Sequence, residues 1–113
     1  MTAIYPVLGQ VSPTGTAETA LYTAPSGKYA IGSTLFLSNI THLGTPANIA
    51  VTVRVRPAGA AAANKHIIVP AVLLLPNQSL TMTVGVTLAA TDVISVQSSV
   101  ANGLAATLCG TEI

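Results

Sequence analysis

Asn48-Ile49-Ala50-Val51-Thr52-Val53-Arg54-Val55-Arg56-Pro57 holds the clearest structural signal in the chain. Ile49, Val51, Val53 and Val55 alternate with Ala50, Thr52, Arg54 and Arg56. A period of two places the first set on one face and the second on the other, the pattern of a half-buried strand. Pro57 ends the run, because proline cannot donate to a ladder. Ala58-Gly59-Ala60-Ala61-Ala62-Ala63-Asn64 then leads to Lys65 and His66, ahead of the apolar Ile67-Ile68-Val69. Arg54, Arg56, Lys65 and His66 thus gather most of the positive charge at one end of a strand.

The same reading extends in both directions. Residues 5–10, 18–23 and 28–39 read as strands, with Ile31, Leu35 and Leu37 on one face of the third. Residues 24–27 form a turn with proline second and glycine fourth. Residues 66–75 read as a strand buried on both faces, and Pro70 places it at a sheet edge or a bulge. Leu80, Met82, Val84, Val86 and Leu88 alternate with Thr81, Thr83, Gly85 and Thr87, and Gly85 marks a bulge or bend. Strands at 92–98 and 104–112 flank Asn102-Gly103, a tight-hairpin signal. The expected fold is all-β: an antiparallel β-sandwich, jelly-roll-like, of about eight strands. It forms one domain over residues 1–113, with residues 1–6 available as an N-terminal arm.

Charged residues make up 6% of the 113-residue chain and the formal net charge is +1. Ordinary soluble domains carry roughly 25%. Either lipid or other subunits would explain so little charge, since the cores of protein interfaces are depleted in it. The longest apolar run, residues 67–75, is broken by Pro70 and falls short of the roughly 20 residues of a spanning helix. A membrane barrel would need at least about eight strands of 9–11 residues. The N-terminus has neither the basic start nor the apolar centre of a signal peptide. A domain made in a cytoplasm and packed into an assembly is the expectation, with no membrane partner. Cys109 is the single cysteine, which excludes an internal disulfide.

Enzyme chemistry needs convergent ionisable groups, and Glu18, Asp92 and Glu112 lie in three separate segments. His42 and His66 are too few for a metal site. No nucleophile elbow, phosphate loop or dinucleotide fingerprint is present. No catalytic residue, cofactor or metal is expected, and the chain is read as a non-enzyme. Asn39-Ile40-Thr41 and Asn77-Gln78-Ser79 are read as chance matches to the glycosylation pattern. Four Lys and Arg, one Phe and no Trp are too small a footprint for a nucleic acid, which needs broad phosphate neutralisation and stacking platforms. The candidate interface residues are Arg54, Arg56, Lys65, His66 and Tyr5. Arginine is the favoured partner in interfacial ion pairs; a solvated strand face is the alternative. Reversing both arginines is expected to leave the fold intact. Residues 57–64 are small enough to lie close against another backbone.

Several segments together are similar to one group of proteins. They are Val7-Leu8-Gly9-Gln10, Leu21-Tyr22-Thr23-Ala24-Pro25-Ser26-Gly27-Lys28, Arg54-Val55-Arg56-Pro57-Ala58-Gly59-Ala60 with Asn64-Lys65-His66, and Gly85-Val86-Thr87-Leu88-Ala89-Ala90-Thr91-Asp92-Val93-Ile94-Ser95-Val96. In this order they resemble small β-rich virion structural proteins of tailed bacteriophages, over nearly the whole chain. The resemblance implies a capsid cement (decoration) protein on the capsid exterior. It further implies self-association, often as a homotrimer, and the major capsid protein as partner. A tail or baseplate module is the alternative. A lectin-like domain is a third, with Tyr5, Tyr22, Tyr29 and Phe36 as its only contact candidates; the scarcity of aromatics weighs against it.

Overall fold

The alternation seen at Ile49–Arg56 recurs in eight strands that stack into two sheets. The structure, a computed structural model, describes residues 5–113. The strands are β1 (Val7–Val11), β2 (Thr19–Thr23), β3 (Ala30–Asn39), β4 (Ile49–Arg56), β5 (Ile67–Leu74), β6 (Ser79–Leu88), β7 (Val93–Ser98) and β8 (Leu104–Glu112). One sheet runs β1-β8-β3-β6 and the other β2-β7-β4-β5, with antiparallel pairing throughout. Only β4 and β5 are neighbours both in sequence and in a sheet; every other connection crosses from one sheet to the other. That wiring is an eight-stranded jelly roll.

Leu35, Leu37, Leu104 and Leu108 from the first sheet interdigitate with Ile49, Val51, Val53, Ile94 and Val96 from the second, all fully buried. Each such side chain contributes roughly 1.5–3 kcal/mol on leaving water, which is what holds the two layers together. The two sides of the sandwich differ. Strands β1 and β2 approach each other and close one side. On the other side, the inward Leu80, Met82, Val84 and Val86 of β6 are only partly buried.

Three details of the strand reading are corrected. Register shifts between Gly32 and Thr34 against both neighbours of β3. An added residue flips the facing of everything beyond it, so Ala30 and Gly32 turn inward while Ile31 leaves the face of Leu35 and Leu37. Strand β5 is an edge strand whose register shifts on either side of Val53, with Ala71 at φ 48°. It is therefore not buried on both faces: Ile68 and Leu73 stand exposed. Gly85 takes φ +56°, a left-handed value that suits glycine at a bend. The turn after β2 centres on Ser26 and Gly27, with Lys28 N–H donating to the Pro25 carbonyl, one residue later than proline at the second position would give.

Asn102-Gly103 does not close a hairpin, because β7 and β8 belong to different sheets. Asn102 takes the positive φ of 56°. Gly103 is there for space: a Cβ would meet Ile49 and Thr41 side-chain carbons at 3.1 Å. Nearby, buried Asn39 donates to the Ala47 and Leu74 carbonyls and accepts from Thr41 N–H and Oγ. This network pins the β3–β4 connection to the end of β5. It also occupies the Asn39 amide, so that glycosylation match is a structural side chain.

Candidate functional site

Arg54 and Arg56 sit on the outward face of β4, an inner strand of the second sheet. Their cross-strand neighbours on β7 are Ser95 and Val93. Glu18, just before β2, reaches both: its Oε2 lies 3.3 Å from Arg54 Nη1 and its Oε1 3.3 Å from Arg56 Nε. Arg54 Nη1 also donates to Gln97 Oε1 at 2.8 Å, and Gln97 Nε2 donates to the Thr16 carbonyl. Arg56 Nη1 donates to the Ala60 carbonyl at 2.8 Å. The arginines therefore staple the start of β2 and the loop after β4 onto the sheet. Two guanidiniums share one carboxylate, so the cluster keeps one positive charge. The arginine side chains are each 17% exposed.

That packing is tight enough to leave Ser95 Oγ and both arginine Nε atoms buried without a hydrogen-bond partner. Arg56 Nε is near Glu18 yet not aligned for a hydrogen bond. Because the pair anchors the fold, reversing both arginines would set three carboxylates together in a half-buried place. The expectation that such a double reversal leaves the fold untouched is corrected by this geometry.

The remaining candidates are dispersed. Lys65 is exposed in the short 3-10 turn Asn64–His66 and makes no ion pair among the described residues. His66 is buried, its Nδ1 accepting from Ala63 N–H, so it supports the loop instead of facing outward. Tyr5 is exposed ahead of β1, on the other sheet from the arginines. Asp92 ties the small-residue loop down: Oδ1 accepts from Ala58 N–H and Oδ2 from Ala89 N–H. Met1–Ile4 of the expected arm lie outside the described residues. Of the aromatic candidates for ligand contact, Tyr22 is buried and donates to Glu112 Oε1 at 2.7 Å. Burial, then the hydrogen bond to Glu112 and its charge, push the Tyr22 phenol well above its ordinary value.

A second surface escaped sequence reading. Gln10, Thr107, Phe36 and Thr81 line up across β1, β8, β3 and β6. Beside them run Cys109, Thr34 and Thr83 on one side, and Ala105, Ser38 and Ser79 on the other. The centre of this outer face carries no ionisable acid or base other than the Cys109 thiol, and Phe36 stands 40% exposed within it. The threonine alternation in β6 was visible beforehand; its alignment with β3 and β8 needs the strand order.

A concavity of about 540 Å³ lies between the 40–45 and 100–102 loops, with Ile40, Thr41, Leu43 and Asn102 in its wall. No acid, base or thiol lines it. No cluster of three His, Cys, Asp or Glu side chains suited to a metal occurs among the described residues. Comparison with protein-family models, with curated proteins and with solved structures finds no match in any of the three.

Proposed function

We propose that this chain is a non-enzymatic structural subunit of a virus particle, a capsid cement protein that self-associates on a shell of major capsid protein and stabilises it. The observation that carries the reading is the charge-free outer face of the β1-β8-β3-β6 sheet, centred on Phe36. Covering such a face strips water from hydroxyls and methyls, not from ions, so little desolvation opposes binding. An aromatic side chain ringed by small ones is also a usual form for an interface anchor. Arg54 and Arg56 lie on the outer face of the other sheet, so the charge that Glu18 leaves unmatched there takes no part in this contact. The resemblance to phage virion proteins supplies the kind of shell.

Binding to expanded capsids lacking the protein tests this. Phe36→Asp puts a charge at the centre of the face and is expected to weaken saturation binding at least about tenfold, while circular dichroism shows the chain still folded. Wild-type binding by F36D, or labelled protein decorating tails in place of capsids, overturns the reading.

A further inference from the structure

The charge that Glu18 leaves unmatched on the second sheet stands beside a concavity. About 340 Å³ in volume, it opens on the outer side of β4 and β7 and is walled by Thr52, Gln97, Ser99 and, from the loop before β2, Thr16. Strand pairing fixes where the charge sits. Thr52 lies directly across from Gln97, and Arg54 directly across from Ser95. Residues two apart on a strand share a face, so Arg54 is the next outward side chain along β4 from Thr52. Its hydrogen bond to Gln97 Oε1 at 2.8 Å holds the guanidinium at the rim of the concavity.

The polar groups around this space keep donors in reserve. Arg54 Nη1 donates to Glu18 and Gln97, while Nη2 has no partner among the described residues and is not buried. The Thr16 and Thr52 hydroxyls are also without a partner among the described residues. Ser99 Oγ accepts from Ala50 N–H, which leaves its own O–H to give. Gln97 Nε2 donates to the Thr16 carbonyl and has a second N–H. No carboxylate lines the concavity. Glu18 is held between the two arginines, and Asp92 accepts from Ala58 and Ala89 N–H at the Arg56 end.

We infer that this concavity binds one small oxyanion of the phosphate class. Such a group offers acceptors on every side, and N–H and O–H donors converging beside a guanidinium are what it needs. It also neutralises at close range the single positive charge left by two arginines and one glutamate. A neutral ligand would leave that charge as it is, and a cation would be repelled by it. A space of about 340 Å³ is at the small end of ligand pockets. It therefore suits the free ion or a phosphate ester of a few carbons, not a polymer. The inference does not rest on the capsid reading, because it concerns the opposite sheet.

Titration of the full chain with sodium phosphate, at ionic strength held constant by sodium chloride, tests this through amide shifts in nuclear magnetic resonance. The shifts should saturate and centre on Thr16, Thr52, Gln97 and Ser99. The Kd should be on the order of 1 mM, the strength of two or three charge-assisted hydrogen bonds. Thr52→Asp puts a carboxylate into the concavity from an outward strand position. It should weaken binding at least about tenfold while circular dichroism shows the chain still folded. Glu18→Gln acts in the opposite sense, removing the competing carboxylate, and should tighten binding about threefold or more; a damaged fold would not produce that gain. Glycerol phosphate in parallel identifies the source. A Kd equal to that of inorganic phosphate assigns the site to the free ion, and a lower one assigns it to a small ester; both support the oxyanion site. Shifts that do not saturate or that centre elsewhere, unchanged binding in T52D, or no gain in E18Q overturns the inference.

Discussion

Both sheets of this sandwich turn an outer face to the surroundings, and the two faces are built on opposite plans. On the β2-β7-β4-β5 sheet, outward Ser95 and Val93 are buried beneath Arg54, Arg56 and Glu18. That face is part of the fold, held by ion pairs and by hydrogen bonds to Gln97 and the Ala60 carbonyl. On the β1-β8-β3-β6 sheet, threonines and Phe36 stand in rows with nothing from the same chain over them. The charge that first drew attention therefore serves the chain's own stability, while the surface left without charge is the one free to meet a partner.

Removing Glu18 should have the largest effect on that contrast. Glu18→Ala leaves two guanidiniums half-buried with no carboxylate, and the unpaired-charge penalty is on the order of 2–3 kcal/mol after discounting for partial exposure. For a domain of this size that is roughly 8–12 °C in melting temperature, read by calorimetry or circular dichroism. A loss below about 2 °C would mean the cluster is surface ornament and the two faces are alike.

The alternation of β4 was legible because a period of two survives any uncertainty about partners, and it put Arg54 and Arg56 on the outer face correctly. Their partner was not legible: Glu18 lies 36 positions away from Arg54, and only the β2-β7-β4 order brings it over. Ile31 was misplaced for a related reason, since a bulge at Ser33 is set by the registers of β6 and β8 jointly. Asn102-Gly103 matched a local hairpin pattern, yet the chain there crosses between sheets. Pro70 and Gly85 did announce an edge and a bend, because proline and glycine limit the backbone locally, whatever packs around it.

A pH measurement sharpens the comparison from the closed side of the sandwich. Tyr22 ties β2, of the ion-paired sheet, to Glu112 at the end of β8, of the uncharged one. Its phenol is raised above the ordinary value of 10.0, so the folded chain keeps its proton where the unfolded chain gives it up. The stabilisation is complete below pH 10 and falls as pH rises above it through the folded value. The melting temperature should decline on going from pH 9 to pH 12, and Tyr22→Phe should flatten that part of the decline. An identical slope in Y22F would show that Tyr22 does not link the sheets energetically.

Phe36→Thr should have the smallest effect on the free chain. Phe36 is 40% exposed between Thr81 and Thr107, so the substitution extends an existing row of threonines. Threonine suits a pleated strand, which offsets part of the lost packing of the ring against its neighbours, worth about 0.5–1 kcal/mol. The net change should be under about 1 kcal/mol, or roughly 4 °C, well below the loss in Glu18→Ala. The reason is that the ring has no covering layer from its own chain, so the 40% of it left exposed remains to be buried by something else. If Phe36→Thr melted as low as Glu18→Ala, the ring would already be working as core in the isolated molecule. The uncharged face would then be a structural surface like the other, not one held in reserve for a partner.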